Sequence, residues 1–233
     1  LYGAPFGAGP QHQTSGAVGL DVAWSQLLFT RHGLSAGVNL VTEWLTTAET
    51  TDPSWVRAGA MIGDEVFFLD GALSVNATLR VDQSGPFTGF SPRAGVLALL
   101  PHGFELRANA GQAHRPPTFL ELYVKQGHLA PNPNLRPERG LSADAAVGFR
   151  REGFFLQAGG FGAMYEDLIS YEYYPPLLAR PYNFQAARVL GLEAEGTAAP
   201  TPWLSAAASY TFLSTQNLKD DPRYYGRSLP YRP

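Results

Sequence analysis

The chain has 233 residues, 45% of them hydrophobic and only 16% charged, with 25 glycines and 19 prolines; a charged fraction this far below the roughly 25% of soluble domains disfavours a helical protein with an ionic surface. The formal charge of -3 comes without a Lys/Arg block and without any cysteine, which excludes the basic face that nucleic acid needs and removes disulfides, thiolate metal sites and a cysteine nucleophile. No apolar run reaches the roughly 18 residues of a spanning helix, whereas a spanning strand needs only about 9 to 11, so membrane residence is open to a β-barrel alone.

Ten strands are predicted from side-chain alternation, since successive residues of a strand point to opposite faces. In the first, Val18, Leu20, Val22 and Trp24 alternate with Ala17, Gly19, Asp21, Ala23 and Ser25. The second sets Leu34, Ala36, Val38 and Leu40 against Ser35, Gly37, Asn39 and Glu43. The third, over residues 58–69, carries apolar residues on both faces and is predicted from spacing. The fourth is the clearest, with Leu73, Val75, Ala77, Leu79 and Val81 opposed to Ser74, Asn76, Thr78, Arg80 and Asp82. The fifth, over 91–100, is again blurred, and the sixth opposes Phe104, Leu106, Ala108 and Ala110 to Glu105, Arg107, Asn109 and Gly111. The seventh covers 141–150, the blurred eighth 154–165, the ninth 190–197 and the tenth 204–212.

Short connections near residues 31–33, 70–71, 101–103, 151–153 and 200–202 each contain the Gly or Pro that tight reversals favour. Between them lie longer ones over 46–57, 82–89, 112–139, 167–183 and 214–226. Short turns on one rim and long loops on the other is the layout of outer-membrane barrels, and their walls carry aromatic girdles at both interfaces. Phe29, Phe67, Phe68, Phe104, Phe154 and Trp203 lie near the short turns, and Trp44, Phe90, Tyr165, Tyr182, Tyr210 and Phe212 near the long-loop ends. A soluble β-sandwich also alternates, but the small, polar inner face shared by seven of these strands would make a poor dry core. The fold class expected is therefore all-β, a transmembrane antiparallel β-barrel.

Residues 108–138 read ANAGQAHRPPTFLELYVKQGHLAPNPNLRPE. This stretch resembles a signature of the TonB-dependent receptors, carried first by Arg115, Pro117, Thr118, Glu121, Leu122 and Tyr123, then by Asn132, Pro133, Asn134, Leu135, Pro137 and Glu138. Leu79 to Asp82, Ser91 to Arg93, the YEDLIS of residues 165–170, the YNFQAARVLGLEAE that starts at Tyr182 and the terminal RSLPYRP resemble further family segments, with Asn183 one position early. The spacing is most similar to the cobalamin-receptor branch. The resemblance implies a barrel of about twenty-two strands, of which residues 1–233 would be a partial barrel domain supplying about ten. It also implies a plug domain and closing C-terminal strands outside the chain, energy from the TonB–ExbB–ExbD system through an N-terminal region, and the Gram-negative outer membrane as location. The implied ligand is a small molecule or metal chelate such as a siderophore–iron complex or cobalamin, with no resident cofactor. Leu1 follows no leader and Pro233 ends an extended-looking segment, so a fragment is expected.

The Arg115–Tyr123 and Asn132–Glu138 segments admit a ligand-binding reading and a structural one. For the second, Pro116 and Pro117 fix torsions, Glu121 has Arg115 within reach, and Asn side chains mimic turns. Tyr171, Tyr173 and Tyr174 in one outer loop, and Tyr224 and Tyr225 in another, offer flat apolar area with a hydroxyl for ligand contact; an interfacial belt is the other reading. His12, His32, His102, His114 and His128 show no ligand spacing, and Glu193 and Glu195 on one face fit a solvated lumen as well as acid–base work. Two functions remain at this point, energised nutrient uptake and a passive porin or surface-adhesion barrel. A soluble enzyme would need an acid, base and nucleophile that the sequence does not bring together.

Overall fold

The computed structural model describes residues 13–47, 54–125, 127–175, 178–218 and 225–227. Among them ten strands form one antiparallel sheet in sequence order: β1 (Gln13–Leu28), β2 (His32–Thr47), β3 (Ser54–Phe68), β4 (Leu73–Ser84), β5 (Phe87–Leu99), β6 (Phe104–Arg115), β7 (Glu138–Arg151), β8 (Phe154–Tyr174), β9 (Leu178–Thr201) and β10 (Leu204–Asn217). One four-residue helix, α1 (Phe119–Leu122), lies between β6 and β7. Every strand pairs with its sequence neighbours, so short turns set the register one hairpin at a time.

That register places the predicted faces on opposite sides, with a shift in the β9–β10 ladder between Leu204 and Ala206, beside the turn. One row runs through Val22, Val38, Ala60, Val81 and Phe90; another runs through Leu106, Val147, Ala158, Ala194 and Tyr210. Large apolar side chains stand exposed on this face, Val18 at 68%, Leu20 at 65% and Leu192 at 60%, a contiguous surface far beyond what a water-soluble monomer shows. The other face is mostly small and polar, and several of its charges are paired. Arg80 donates to Asn39 and Asp82, both at 2.8 Å, Arg57 meets Glu43 at 3.0 Å, and Arg107 bonds Glu105 and Gln157.

The three blurred strands have a common cause. On the polar face, β3 carries Trp55, Met61 and Phe67, β5 carries Phe87, Leu97 and Leu99, and β8 carries Phe155 and Phe161, as their cross-strand partners place them. Two residues assigned to the aromatic girdles point the same way. Phe67 lies within van der Waals reach of Gly33 and Tyr165 stacks on Gly140, both on the polar side, so neither belongs to a lipid interface.

The strands outrun their predicted ends on the long-loop side. Residues 82–89, expected as a loop, form a two-residue turn, because β4 and β5 stay paired through Gln83–Thr88 and Ser84–Phe87 and Gly85 supplies φ +53° for the reversal. Residues 167–183, also expected as a loop, are mostly a ribbon that continues β8 and β9 from Leu168–Phe184 to Tyr174–Leu178. Polarity there looked like a loop, yet a ladder that has left the bilayer tolerates polar side chains on both faces.

Charge on the two faces should have unequal costs. Leu79→Arg is expected to destabilise the barrel by about 2 to 4 kcal/mol, the range for a cation near the middle of a lipid-facing wall, and Thr78→Arg by much less. Urea unfolding in lipid vesicles measures both; equal losses would place a dry protein core behind Leu79.

Candidate functional site at the long-loop rim

Dry packing is concentrated at the rim, where residues 116–137 connect β6 to β7. The segment begins with a capping box: Thr118 Oγ1 accepts from the Glu121 N–H at 3.3 Å, and Glu121 Oε2 accepts from the Thr118 N–H at 2.7 Å, satisfying two orphan donors at the start of α1. Pro117 is fully buried just ahead of it and restricts the approach to one path. Glu121 is only 8% exposed, and a carboxylate so placed needs a charged partner. Arg115, at the end of β6, supplies it with Nη1 and Nη2 each 3.3 Å from the two oxygens.

Arg115 also donates to Glu138 Oε1 at 2.6 Å, and the same oxygen accepts from the Ile169 N–H at 2.8 Å. Arg115 and Glu138 are register partners at the base of the loop, so one guanidinium closes the loop against itself. Hydrogen bonding to Glu138 raises the Arg115 pKa, with Glu121 adding to it against the opposing effect of burial. Burial pushes Glu138 upward, but the Arg115 and Ile169 hydrogen bonds outweigh it and hold this carboxyl below the usual glutamate range.

Above this clamp sits a small core. Leu122 and Leu135 are buried with Trp55, and Phe87, Phe119, Tyr123 and Ile169 pack around them. Trp55 meets Phe119 edge-on at 4.7 Å and Phe87 at 6.0 Å, a geometry that aromatic quadrupoles favour. Because Trp55 and Phe87 belong to the polar face, the loop folds inward across that side. Asn132 fixes the returning half, with Oδ1 accepting from the Asn134 N–H at 3.1 Å and Nδ2 donating to the Pro181 carbonyl at 2.9 Å. Pro137 leads directly into β7. The motif residues Arg115, Pro117, Thr118, Glu121, Leu122, Tyr123, Asn132, Asn134, Pro137 and Glu138 thus come together in one clasp.

The tyrosines do not form one cluster. Tyr171 and Tyr173 project from β8 on the side of Ile169, which faces the clasp, and Tyr174 projects from the opposite side. Tyr171 is half-buried, and burial together with the Glu121 charge raises its phenol pKa. Tyr173 is 80% exposed. Tyr174 donates to Glu172 at 2.7 Å. Tyr225 stands apart, where residues 225–227 fold back on the end of β10 through the bond from the Gly226 N–H to the Asn217 carbonyl. Tyr224 lies outside the described residues. Trp55 and Phe87 belong to the site without having been singled out, and Asp167 and Asn183, met in the sequence only within segments that resemble the family, join them there, since only the ladder register brings these four to the loop. Among the described residues no three of His, Cys, Asp and Glu converge as a metal ligand set.

An uninterrupted antiparallel meander with one lipid-compatible face, one polar face, short turns at one rim and a structured crown at the other defines a segment of an outer-membrane β-barrel wall. The family described as TonB dependent receptor-like, beta-barrel, matches residues 3–233, and the chain belongs to it. Barrels of this family lie in the outer membrane of Gram-negative bacteria, so the apolar face meets lipid and the polar face lines the lumen. Among solved structures, the siderophore receptor PirA from Pseudomonas aeruginosa superposes with a TM-score of 0.78 at 20% identity over 87% of this chain and 41% of that one. The FrpB iron transporter from Neisseria meningitidis (F3-3 variant) gives 0.73 at 13% identity over 93% and 38%, and the copper transporter OprC gives 0.73 at 18% over 91% and 39%. The chain spans about two fifths of the length of these structures. No curated protein matches it.

The depressed Glu138 pKa makes the clasp pH-dependent with a definite sign. Its contribution is complete above the unfolded glutamate value of about 4.3 and is lost as pH falls through the lower folded value. Protease protection of residues 116–137 should therefore be high at pH 7 and decline in acid, and Glu138→Gln should lower it at pH 7 while converging with wild type at low pH. A constant gap between the two across the titration would remove the ion pair from the account.

Proposed function

We propose that this wall is part of an active-transport receptor that captures a scarce, bulky metal chelate at the cell surface, of the siderophore–iron class or a cobalamin-like corrinoid, and admits it through a plug-filled lumen with energy from TonB–ExbB–ExbD. The observation that carries the reading is the lumen-side aromatic surface of the β8–β9 ribbon, where Tyr173 stands exposed beside half-buried Tyr171 on a backbone held by the clasp. Aromatic side chains on a rigid support bind with little loss of side-chain freedom and tend to dominate binding energy. The related solved structures are named for siderophore, iron and copper traffic, which favours a metal-bearing ligand. A passive porin is disfavoured by the match of residues 3–233 to the TonB dependent receptor-like family. The role is transport, and the reading gives Glu193 and Glu195 no catalytic part.

In the full-length receptor, Tyr173→Ala should raise the dissociation constant for the imported chelate by about tenfold or more, as a truncated aromatic anchor does, with near-normal uptake at saturation. Tyr174→Ala, on the far side of the ribbon, should change little, and Tyr225→Ala tests the second surface. Cells lacking the receptor, supplied with a panel of ferric siderophores and cobalamin, identify the ligand, and whole-cell titration measures the rest. Wild-type uptake of every panel member by the deletion strain would sink the transport reading; unaltered affinity in Tyr173→Ala would return that residue to plain solvent exposure.

A further inference from the structure

The loop between β6 and β7 reaches much further than its two ends require. Its middle passes beyond β8 to the outer edge of β9: the Ala130 N–H donates to the Ala179 carbonyl at 2.8 Å, and the Ala179 N–H donates to the His128 carbonyl at 2.7 Å. Ala179 is also a ladder partner of Tyr173 on β8, so its own polar groups point away from β8 and the parallel bridge with Leu129 makes the loop a short additional strand. An exposed edge of the ribbon is thereby covered.

A second seam lies lower on the same ribbon, around Asn183. Its Oδ1 accepts from the Arg136 N–H at 2.8 Å, and its Nδ2 donates to the Arg136 carbonyl at 2.8 Å and to the Asp167 carbonyl at 2.7 Å. The side chain thus acts toward Arg136 as a neighbouring strand would, and toward Asp167 as a brace. Asp167 needs one, since it holds φ 54° within β8, a left-handed conformation that non-glycine residues adopt at a cost. Its carboxylate takes the Arg136 guanidinium at 2.5 Å. Only a primary amide offers an acceptor and two donors in this fork; aspartate lacks the donors and glutamine is longer by a methylene.

We propose that Asn183 is a positioning residue that welds the β6–β7 loop to the β8–β9 ribbon, so that the two order and disorder as one cooperative body. Elements locked at both ends of a shared surface open together rather than one at a time. The weld holds the Tyr171–Tyr173 face toward the lumen in advance of any ligand, which spares capture the cost of ordering a loop. The purpose of that face rests on the uptake reading; the weld itself does not.

Hydrogen exchange on the full-length receptor in lipid nanodiscs, without ligand, tests it. In Asn183→Ala the amides of Ala130 and Ala179, neither of which bonds Asn183, should exchange about tenfold faster or more and together, while wall amides such as Leu79 keep their protection and report an intact barrel. A nitroxide at position 173 should gain mobility in the same variant, and Asn183→Asp should behave as the alanine variant does. The reverse experiment is Ala130→Pro, which removes a donor at the far seam and should speed exchange of the Arg136 amide. Exchange confined to residues around Arg136 in Asn183→Ala, or a protected Arg136 in Ala130→Pro, would show two independent elements and overturn the proposal. Either failure leaves the transport reading standing, whereas wild-type uptake of every chelate by the deletion strain, with the coupling present, would sink that reading alone.

Discussion

Inside a bilayer an unpaired peptide N–H or C=O finds no water, and each one left open costs several kcal/mol. The ten strands meet this constraint with an unbroken run of antiparallel ladders, every one between sequence neighbours. Because the pleat sends alternate side chains to opposite faces, a wall between two solvents must alternate in kind as well. Leu79 and Thr78 on β4 face different media although they are covalent neighbours. The paired charges follow from the same geometry: Arg80, Asp82 and Asn39 satisfy one another on the lumen side, where none of them has to enter hydrocarbon.

Beyond the membrane the constraint lifts and ordinary protein packing takes over. β8 passes through both regimes in one strand. Met164 is exposed on the lipid face, Asp167 is braced by Asn183 and Arg136, Ile169 packs in the rim core, and Tyr173 stands in solvent. The buried apolar residues Leu122, Val124, Leu135 and Ala179 all belong to the crown. A barrel wall a single sheet thick has no interior of its own to fill, so its dry core forms where loop and ribbon meet. The same packing converts residues 116–125 and 127–137 of a connection long enough to be floppy into a fixed part of the mouth.

What could be read from the residues divides along that boundary. Where one face meets lipid, alternation was legible, and β1, β2, β4, β6, β7, β9 and β10 emerged from it. β3, β5 and β8 were blurred because aromatic and aliphatic groups on their lumen side, Trp55, Phe87 and Phe161 among them, break the pattern that the lipid side obeys. The two misassigned loops share one cause: above the bilayer no solvent difference enforces alternation, and a paired ribbon there resembles a loop in composition. The clasp was half visible. The proximity of Arg115 to Glu121 and the capping box are local and can be read along the chain, but Trp55, Asp167 and Asn183 reach the loop only through strand register. For the tyrosines, spacing showed a cluster, and only the pairing of Tyr173 with Ala179 and Tyr174 with Leu178 revealed that they face opposite ways.

The central claim is that this sheet separates lipid from lumen with period two. The stretch contains no cysteine, so single cysteines introduced from Leu141 to Phe149 of β7 in the full-length receptor can be spin-labelled in place and their collisions with oxygen, which partitions into lipid, compared with those of a water-soluble nickel chelate. Leu141, Ala143, Ala145 and Val147 should collide strongly with oxygen and scarcely with nickel, and Ser142, Asp144 and Ala146 should lose the oxygen signal, in strict alternation. A smooth profile, or nickel access at the odd positions, would contradict the account and make this sheet part of a water-soluble protein.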